Sequence, residues 1–381
     1  MSAGNRSIIS KRTDPAFHPL TIAAVEPLTR DAVTVTFAVP APLRERFTFQ
    51  PGQFLTLEAE IDGEPVRRSY SICSTPDAPG LRVAIKRVAD GRFSTWAHAA
   101  LVPGAMVAVA PPAGRFGTAL RAATRSDGHT LAFAAGSGIT PILAIVAHAL
   151  ETEPERRVTL VYGNRAASHV MFREEILALK NRYLDRFAPL FVMSREPQDI
   201  DALAGRIDEA TCDALLRGWI DARDVDRAYV CGPRDMHAGV VAALVAHGIA
   251  REHIAIERFG VTSSGAADDV RTSQPRNGDA MVPDVGWCDA RATVDGRAFE
   301  FSIRREETVL DAALRAGVEL PYSCKGGVCS TCRAVLVDGE VDMDVHYALE
   351  DYEIARGFIL TCQSYAATRA LHIDLDAREL G

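Results

Sequence analysis

The sequence predicts a multidomain protein in which an antiparallel β-barrel is followed by an α/β domain with a parallel sheet and then by a small α+β domain. Three observations lead to this fold class. Short segments in which apolar and polar residues alternate lie near the start of the chain, predicted strands and helices alternate in its middle, and a cysteine-rich loop lies near its end. A length of 381 residues fits about two to three domains, and an apolar share of 48% can fill several cores.

The first domain is predicted over residues 17–122. Its segments 33–37, 54–57 and 81–86 alternate apolar and polar residues, and Pro and Gly turns separate them. Short strands in this arrangement favour a closed antiparallel barrel. Residues 1–16 match no motif, and we expect them to be disordered.

The second domain is predicted over residues 123–260. Strands are expected at 130–135, 157–162, 188–193 and 227–231, with helices at 142–150, 172–183, 208–217 and 235–248. Alternating strands and helices imply a parallel sheet, on which ligands bind at the carboxyl ends of the strands. Three of these ends carry glycine-bearing polar turns, at 136–140, 163–165 and 232–233, which favours a dinucleotide as the ligand.

The turn after the first of these strands has two glycines that would let a pyrophosphate approach the backbone, Gly136 and Gly138. Thr140 is expected to cap the following helix, and Pro141 suits the first helical position. The third glycine of the usual fingerprint is replaced by Pro141, so a plain strand-to-helix connection is the alternative.

The third domain is predicted over residues 286–381, after a polar segment at 261–285 that we interpret as a flexible linker. Cys324, Cys329, Cys332 and Cys362 follow the order C-x4-C-x2-C…C, which is the spacing of plant-type ferredoxins with a [2Fe–2S] cluster. A zinc site is the alternative, but zinc ribbons pair two short C-x2-C knuckles. A disulfide framework is disfavoured because no export signal is present.

The chain contains no long apolar span, so we expect a cytoplasmic protein without a membrane or nucleic-acid partner. The net charge is −8, and residues 286–381 hold 17 acidic and 10 basic side chains, which leaves −1 for the rest. Much of this acidity lies at 338–344 and 350–353. It predicts either a solvated surface or a docking face for a partner with a basic patch.

Two motifs in the barrel resemble those of the ferredoxin-NADP reductase superfamily of flavoproteins. Arg68, Ser69, Tyr70 and Ser71 resemble its R-x-Y-S flavin motif, which implies that the arginine meets a phosphate, the tyrosine covers the ring and the last serine reaches the flavin nitrogens. Residues 91–95, with Gly91, Phe93 and Ser94, resemble the second flavin motif, in which Ser94 and helix amides take the pyrophosphate. Core packing of Tyr70 and an ordinary N-cap at Ser94 are the alternatives.

The same resemblance extends to the nucleotide domain. Residues 133–141 are similar to the pyrophosphate loop of that superfamily, and Cys231, Gly232 and Pro233 to the segment that faces the nicotinamide. The resemblance implies that Cys231 borders the path of the hydride, while a buried structural cysteine is the alternative. Residues 257–259 resemble the place where the superfamily sets an acid and an aromatic residue, here Phe259, near the flavin.

The resemblance also bears on the choice of nicotinamide. NADH sites usually place an acid after the second strand of the sheet, and none follows the strand that leads to Arg165. Ser194 and Arg195 resemble the serine-arginine pair that holds the 2′-phosphate in NADPH-dependent members. We therefore expect NADPH, with FAD as the flavin by resemblance alone.

The order of the domains implies that paired electrons from NADPH leave singly through a β-grasp ferredoxin domain. More closely, the whole chain from about Phe17 onward resembles the reductase subunits of bacterial phenylacetyl-CoA epoxidases, which implies a separate diiron oxygenase as partner. The stretches that carry this resemblance are 168–175 through 180–183, and 191–199 with 205–208. The chain itself has no Glu-x-x-His pairs for a diiron site. A reductase for another ring hydroxylase or monooxygenase, and a plain flavin reductase with a C-terminal binding domain, are the alternatives.

Overall fold

The computed structural model describes residues 17–120, 125, 127–258, 288–346, 348–349 and 351–377. The chain forms two compact units, Met1–Phe259 and Gly260–Gly381. Three predictions concern residues outside the described ranges: the disordered segment 1–16, the linker 261–285 and the role of Phe259.

The first sheet is an antiparallel barrel of six strands in the order β4-β3-β6-β1-β2-β5. The strands are β1 (His18–Thr29), β2 (Ala32–Ala38), β3 (Phe54–Ile61), β4 (Glu64–Ser71), β5 (Leu81–Lys86) and β6 (Met106–Val109). A bridge between Ile72 and Val83 joins the end of β4 to β5 and closes the sheet. Helix α1 (Arg92–Ala100) buries Phe93 and Ala97 in the barrel core, so the segment before this helix is held against the sheet.

The second sheet has five parallel strands in the order β11-β10-β7-β8-β9. In chain order its elements are β7 (His129–Ala135), α2 (Ile139–Thr152), β8 (Arg157–Asn164), α3 (Arg173–Arg182), β9 (Phe187–Met193), α4 (Glu209–Gly218), β10 (Val225–Gly232), α5 (Arg234–Ala246) and β11 (Ile254–Arg258). Apolar side chains form a core on each face of the sheet. All five strands therefore end at one edge, where parallel sheets bind ligands.

The barrel and the parallel sheet share one core within the first unit. Ala32, Cys73 and Ala84 of the barrel join the cluster that contains Tyr229 of β10. The Arg82 guanidinium binds both carboxylate oxygens of Glu175 at 3.1 and 2.6 Å, which adds a bidentate ion pair between the two domains. These contacts hold the two domains in a fixed arrangement.

The second unit has a mixed sheet in the order β13-β12-β18-β14-β16, in which only the β12–β18 pair is parallel among the described strands. Its elements are β12 (Cys288–Val294), β13 (Arg297–Ile303), α6 (Val309–Arg315), β14 (Arg333–Asp338), β15 (Val341–Met343), α7 (Asp351–Ala355), β16 (Phe358–Leu360), β17 (Ser364–Ala366) and β18 (Ala370–Asp374). Strands β15 and β17 form a separate antiparallel pair. Thr308 caps α6, because its Oγ1 accepts from the Asp311 amide at 3.1 Å.

The predicted fold class is confirmed: an antiparallel barrel, a parallel-sheet domain and a small α+β domain follow one another. The expected cap at Thr140 is wrong. Residues 136–138 already form a 3-10 turn, so α2 has Gly138 as its N-cap, and the Thr140 hydroxyl donates to the Ser137 carbonyl at 3.0 Å from inside the first turn. Pro141 is accordingly the third helical residue. Of the helices in the described ranges, none has both the length and the apolarity of a membrane span.

Candidate functional site

The end of β4 presents a buried hydroxyl with no hydrogen-bond partner in the described structure. Ser71 is 2% exposed, and its Oγ is unpaired among the described residues. Leaving a buried polar group unpaired costs about 1–3 kcal/mol, so this hydroxyl fits a ligand that offers a partner. The Ser69 hydroxyl, by contrast, is 3.2 Å from the Thr56 hydroxyl on β3.

Tyr70 and Arg68 lie on the same strand. The Tyr70 ring packs on Phe93, with centroids 5.8 Å apart, and burial raises the pKa of its phenol. Arg68 is exposed, donates to the Arg67 carbonyl at 2.7 Å, and makes no ion pair among the described residues. A neutral aromatic ring and an exposed guanidinium without an ion pair among the described residues are therefore available to a flavin and its phosphate.

The N-terminus of α1 provides amides for an anion. Gly91 is the N-cap and has no side-chain cap, so the alternative of an N-cap at Ser94 is wrong. The Ser94 hydroxyl accepts from the Val88 amide at 3.1 Å and donates to the Gly91 carbonyl at 3.2 Å. Its hydrogen is thus used inside the loop, and the helix amides are the donors that remain for a phosphate.

The glycine turn after β7 makes close contacts with β8 and with β10. Gly136 has φ 54°, and its carbonyl accepts from the Tyr162 hydroxyl at 2.9 Å. A Cβ on Gly138 would lie 2.2 Å from the Cys231 carbonyl oxygen, so only glycine fits against β10. Space for a ligand opens at Gly136, where a Cβ would have no neighbour within 4 Å.

The end of β10 brings a thiol next to a buried acid. Cys231 is 0% exposed and pairs in register with Glu257 on β11. Burial raises the pKa of the Cys231 thiol, and the Glu257 carboxylate raises it further. Burial also raises the pKa of Glu257 to about 8, and its Oε2 has no partner among the described residues. Both groups are therefore neutral and protonated near pH 7.

Arg165, Ser194 and Arg195 come together where β8 and β9 end. The Ser194 amide donates to the Asn164 carbonyl at 2.9 Å, and the Arg195 amide to the Arg165 carbonyl at 2.8 Å. Both arginine side chains are exposed and have no ion pair within the described part of the chain. Two unpaired guanidinium groups on adjacent strand ends suit a doubly charged phosphate.

The four cysteines of the second unit lie in two pairs. The sulfurs of Cys332 and Cys362 are 3.3 Å apart, and Cys324 hydrogen-bonds with Cys329. In each pair one thiol acidifies the other: hydrogen bonding lowers the pKa of Cys329 to about 6 and lowers that of Cys362. The described residues include no group of three or more ligands around one point. Two thiol pairs therefore fit a two-iron cluster better than a single zinc ion.

Left-handed residues curl the cysteine loop. Lys325 has φ 51°, Ser330 has φ 51° and Gly327 has φ 72°, and a Cβ on Gly327 would lie 2.8 Å from Val345 Cγ2. The Gly326 amide donates to the Cys324 sulfur at 3.3 Å, and the Cys324 amide to the Cys329 sulfur at 3.5 Å. The curl thus turns backbone amides towards the thiolates that would hold iron.

Three family models match the chain: an oxidoreductase FAD-binding domain over 19–117, an oxidoreductase NAD-binding domain over 133–242, and a 2Fe-2S iron-sulfur cluster binding domain over 292–367. The chain is 42% identical over 365 residues to one of the subunits of the 1,2-phenylacetyl-CoA epoxidase of Escherichia coli (strain K12), a match that covers 95% of this chain and 98% of that protein. The chain belongs to the ferredoxin-NADP reductase superfamily. It is a flavin-dependent NAD(P)H oxidoreductase with a C-terminal [2Fe–2S] domain.

Other relatives and solved structures match this reductase over most of its length. The ferredoxin reductase component of 3-ketosteroid-9-alpha-monooxygenase from Rhodococcus rhodochrous is 33% identical, with 97% of both chains covered. Phthalate dioxygenase reductase matches in fold with a TM-score of 0.57 at 24% identity, covering 94% of this chain and 98% of that one. An intact type IV self-sufficient cytochrome P450 monooxygenase matches in fold with a TM-score of 0.64 at 20% identity, over 96% of this reductase but only 43% of that longer chain.

One residue that matters to these sites, Gln363, is absent from the sequence-based set of site residues. The resemblance over 257–259 anticipates an acid at Glu257, but the pairing of this acid with Cys231 depends on the β10–β11 register. Gln363 carries no signal beyond its place after Cys362, and its contacts reach Lys325, 38 positions away.

Proposed function

We propose that this reductase uses NADPH, holds FAD, and supplies single electrons through its [2Fe–2S] cluster to the diiron oxygenase of a phenylacetyl-CoA epoxidase. The observation that carries the proposal is the match to a component of that epoxidase over 95% of this chain and 98% of that protein. When bound, FAD accepts a hydride and the cluster carries one electron at a time.

The residues of the first unit would bind and orient the two nucleotides. Arg68 and the first-turn amides of α1 would hold the flavin phosphates, with Tyr70 against the ring and the unpaired Ser71 hydroxyl towards its nitrogens. Gly136 would admit the NADPH pyrophosphate, and Gly138 would let the turn lie close against β10. Cys231, Gly232 and Pro233 would border the nicotinamide, with the fully buried Cys231 thiol beneath that surface as a small neutral group.

NADPH rather than NADH is proposed because two guanidinium groups lie unpaired where β8 and β9 end. The first carboxylate after β9, that of Glu196, accepts from the Ala167 amide at 2.8 Å and is thereby turned to its own loop. A charge-assisted hydrogen bond to phosphate is worth about 1.5–3 kcal/mol, which corresponds to roughly tenfold or more in binding.

Steady-state kinetics test this choice. Arg165→Ala and Arg195→Ala should each raise the KM for NADPH about tenfold while the KM for NADH stays within about twofold. Arg217→Ala is the matched control, since Arg217 is an exposed arginine of α4 that pairs with Asp213 on its own helix. A tenfold or greater preference of the unaltered protein for NADH would contradict the proposed roles of Arg165, Ser194 and Arg195.

The partner is tested by reconstitution. The reductase is mixed with purified oxygenase subunits of the epoxidase and phenylacetyl-CoA, and NADPH-dependent epoxide formation is measured. NADPH oxidation without product would favour the second candidate, a reductase for another ring hydroxylase or monooxygenase. That candidate is supported by the 33% identity to the reductase component of a ketosteroid monooxygenase.

A further inference from the structure

The side chain of Gln363 joins the two parts of the chain that supply the cysteines. Its Nε2 donates to the Lys325 carbonyl at 3.0 Å and to the Cys362 carbonyl at 2.8 Å. Both partners can only accept, so the nitrogen of the carboxamide, and not its oxygen, must face them. Gln363 therefore bridges the loop of the first three cysteines to the segment of the fourth.

The same nitrogen lies 3.6 Å from the Cys362 sulfur, within reach of a hydrogen bond to sulfur. Because Nε2 has only two N–H groups, the one that faces Cys362 is shared between the carbonyl and the sulfur of that residue. The Gly327 amide also donates to this sulfur. Donors to a cluster thiolate stabilise the more negative, reduced cluster, and such hydrogen bonds are among the determinants of the reduction potential. The contact would therefore raise the potential of the cluster.

The position of Gln363 is fixed on several sides. Its amide donates to the Leu360 carbonyl at 2.8 Å, and its carbonyl accepts from the Asp344 amide at 3.0 Å. Its side-chain Cγ lies 3.1 Å from where a Cβ on Gly327 would be, so the stem packs on the loop. A preorganised donor of this kind keeps its geometry when the charge of the cluster changes.

The acceptor in the loop is also held in place. Lys325 adopts φ 51°, a left-handed conformation that is unfavourable for a residue other than glycine. Its Nζ pairs with Asp311 Oδ1 at 2.8 Å, which anchors the residue to α6. The hydrogen bond from Gln363 to the Lys325 carbonyl favours this conformation at the point where the loop leaves Cys324.

We propose that Gln363 is a positioning residue of the iron-sulfur site, which ties Cys362 to the loop of Cys324, Cys329 and Cys332 and directs an N–H at the Cys362 sulfur. The proposal rests on the cluster assigned to this unit under the proposed function. Gln363 does not bind iron itself, but it affects both how firmly the cluster is retained and the reduction potential of the cluster.

The test compares Gln363→Met, which keeps the length of the side chain without its N–H groups, with Gln363→Glu, which places acceptors at the same point. Two quantities are measured: the reduction potential of the cluster by redox titration with spin-resonance detection, and the rate of iron release to a chelator. At a fixed solution potential, the ratio of reduced to oxidised cluster should fall about tenfold in Gln363→Met, which corresponds to about 59 mV for a one-electron couple. The ratio of reduced to oxidised cluster should fall further in Gln363→Glu, and both variants should release iron faster than the unaltered protein.

Arg297→Gln is the control for net charge. It changes the charge of the unit by the same amount as Gln363→Glu, at an exposed residue of β13 without a contact to the cysteine loop in the described structure. Its potential and iron release should match those of the unaltered protein. Flavin reduction by NADPH should be unchanged in all three variants.

The proposal would be overturned if Gln363→Met and Gln363→Glu had the same reduction potential and the same iron-release rate as the unaltered protein. If neither Gln363 variant retains iron while Arg297→Gln does, and the flavin of each is still reduced by NADPH, the tie between Cys362 and the loop is supported. An unaltered protein that holds no iron or acid-labile sulfide would instead contradict the proposed function.

Discussion

At the scale of single residues, the site depends on polar groups that are buried without a partner. The Ser71 hydroxyl and Glu257 Oε2 are both of this kind among the described residues, although they lie on different sheets. Glu257 is next to Cys231, and burial keeps its carboxyl group protonated near neutral pH. Ionisation would place an uncompensated negative charge beside the segment proposed to face the nicotinamide.

This arrangement predicts the pH dependence of flavin reduction by NADPH. With a pKa of about 8 for Glu257, the rate should rise as the pH rises through about 8, because the carboxylate that forms above that value stabilises the positive charge that a nicotinamide gains as it gives up a hydride. Glu257→Gln is neutral at every pH and should lose this inflection. Stopped-flow measurement of flavin reduction between about pH 6 and 9.5 checks it.

Glu252→Gln is the control, since Glu252 is exposed in the 3-10 turn just before β11. It should retain the inflection near pH 8 that is expected from the pKa of Glu257. If Glu257→Gln and the unaltered protein had the same pH profile, Glu257 would not be the titrating group.

At the scale of elements, much of the architecture follows from local patterns in the sequence. The strand-glycine-helix order predicts β7, the turn and α2, and the cysteine spacing predicts the curled loop, because both depend on neighbouring residues. The hydrogen-bonding roles of Thr140 and Ser94 are harder to predict from local sequence patterns. Whether Thr140 caps α2 depends on where the helix begins, and whether the Ser94 hydroxyl is free depends on its contact with Val88.

The remaining features depend on long-range pairing. The contact of Glu257 with Cys231 requires the parallel β10–β11 register, and the contact of Gln363 with Lys325 requires the fold of the second unit. No local pattern specifies such pairs, since a shift of one residue in a strand would turn the side chain to the other face.

The close contact between the start of α2 and β10 predicts that adding a methyl group at Gly138 destabilises the protein. In Gly138→Ala, a Cβ 2.2 Å from the Cys231 carbonyl oxygen must displace backbone, because no flexible side chain can yield there. We expect a loss of about 1–3 kcal/mol in the free energy of unfolding, together with a raised KM for NADPH. Denaturant unfolding and steady-state kinetics measure the two effects.

Gly218→Ala is the matched control at the end of α4, where a Cβ would have no neighbour within 4 Å. Its free energy of unfolding should be unchanged or slightly higher, since alanine favours a helix more than glycine does. Equal stability of Gly138→Ala and Gly218→Ala would contradict the close packing of the nucleotide turn on β10.

At the scale of the whole molecule, the two units divide the electron transfer between them. The first contains the FAD-binding and NAD-binding domains, and the second contains the four cysteines of the 2Fe-2S domain. Cys329→Ala should therefore leave flavin reduction by NADPH within about twofold of normal and abolish reduction of an acceptor that takes electrons from the cluster. Stopped-flow flavin reduction and cytochrome c reduction separate the two activities.

Cys288→Ala is the control for this prediction. Cys288 is a buried cysteine at the start of β12, in the same unit but outside the cysteine loop. It should retain both activities. Cytochrome reduction unchanged by Cys329→Ala would mean that electrons leave from the flavin directly.

The second unit also presents exposed acids next to the cysteine loop. Asp342 and Asp344 are exposed and have no ion pair among the described residues, and Val345 packs on Gly327 of the loop. Replacing both acids by Asn should remove attraction to a basic oxygenase partner and so raise the KM for that partner. The KM should then depend less on ionic strength, since salt screens the attraction between exposed charges. An unchanged KM and salt dependence would favour a solvated surface.

The most direct test of the electron path is an anaerobic titration with NADPH, followed by optical and low-temperature spin-resonance spectra. The flavin absorbance should bleach and one reduced-cluster spin signal should develop per chain, with iron and acid-labile sulfide present in equal amounts. In Cys329→Ala the flavin should bleach without the spin signal. Complete bleaching of the flavin in the unaltered protein with no spin signal would contradict the path from NADPH through the flavin to the cysteine-bound cluster.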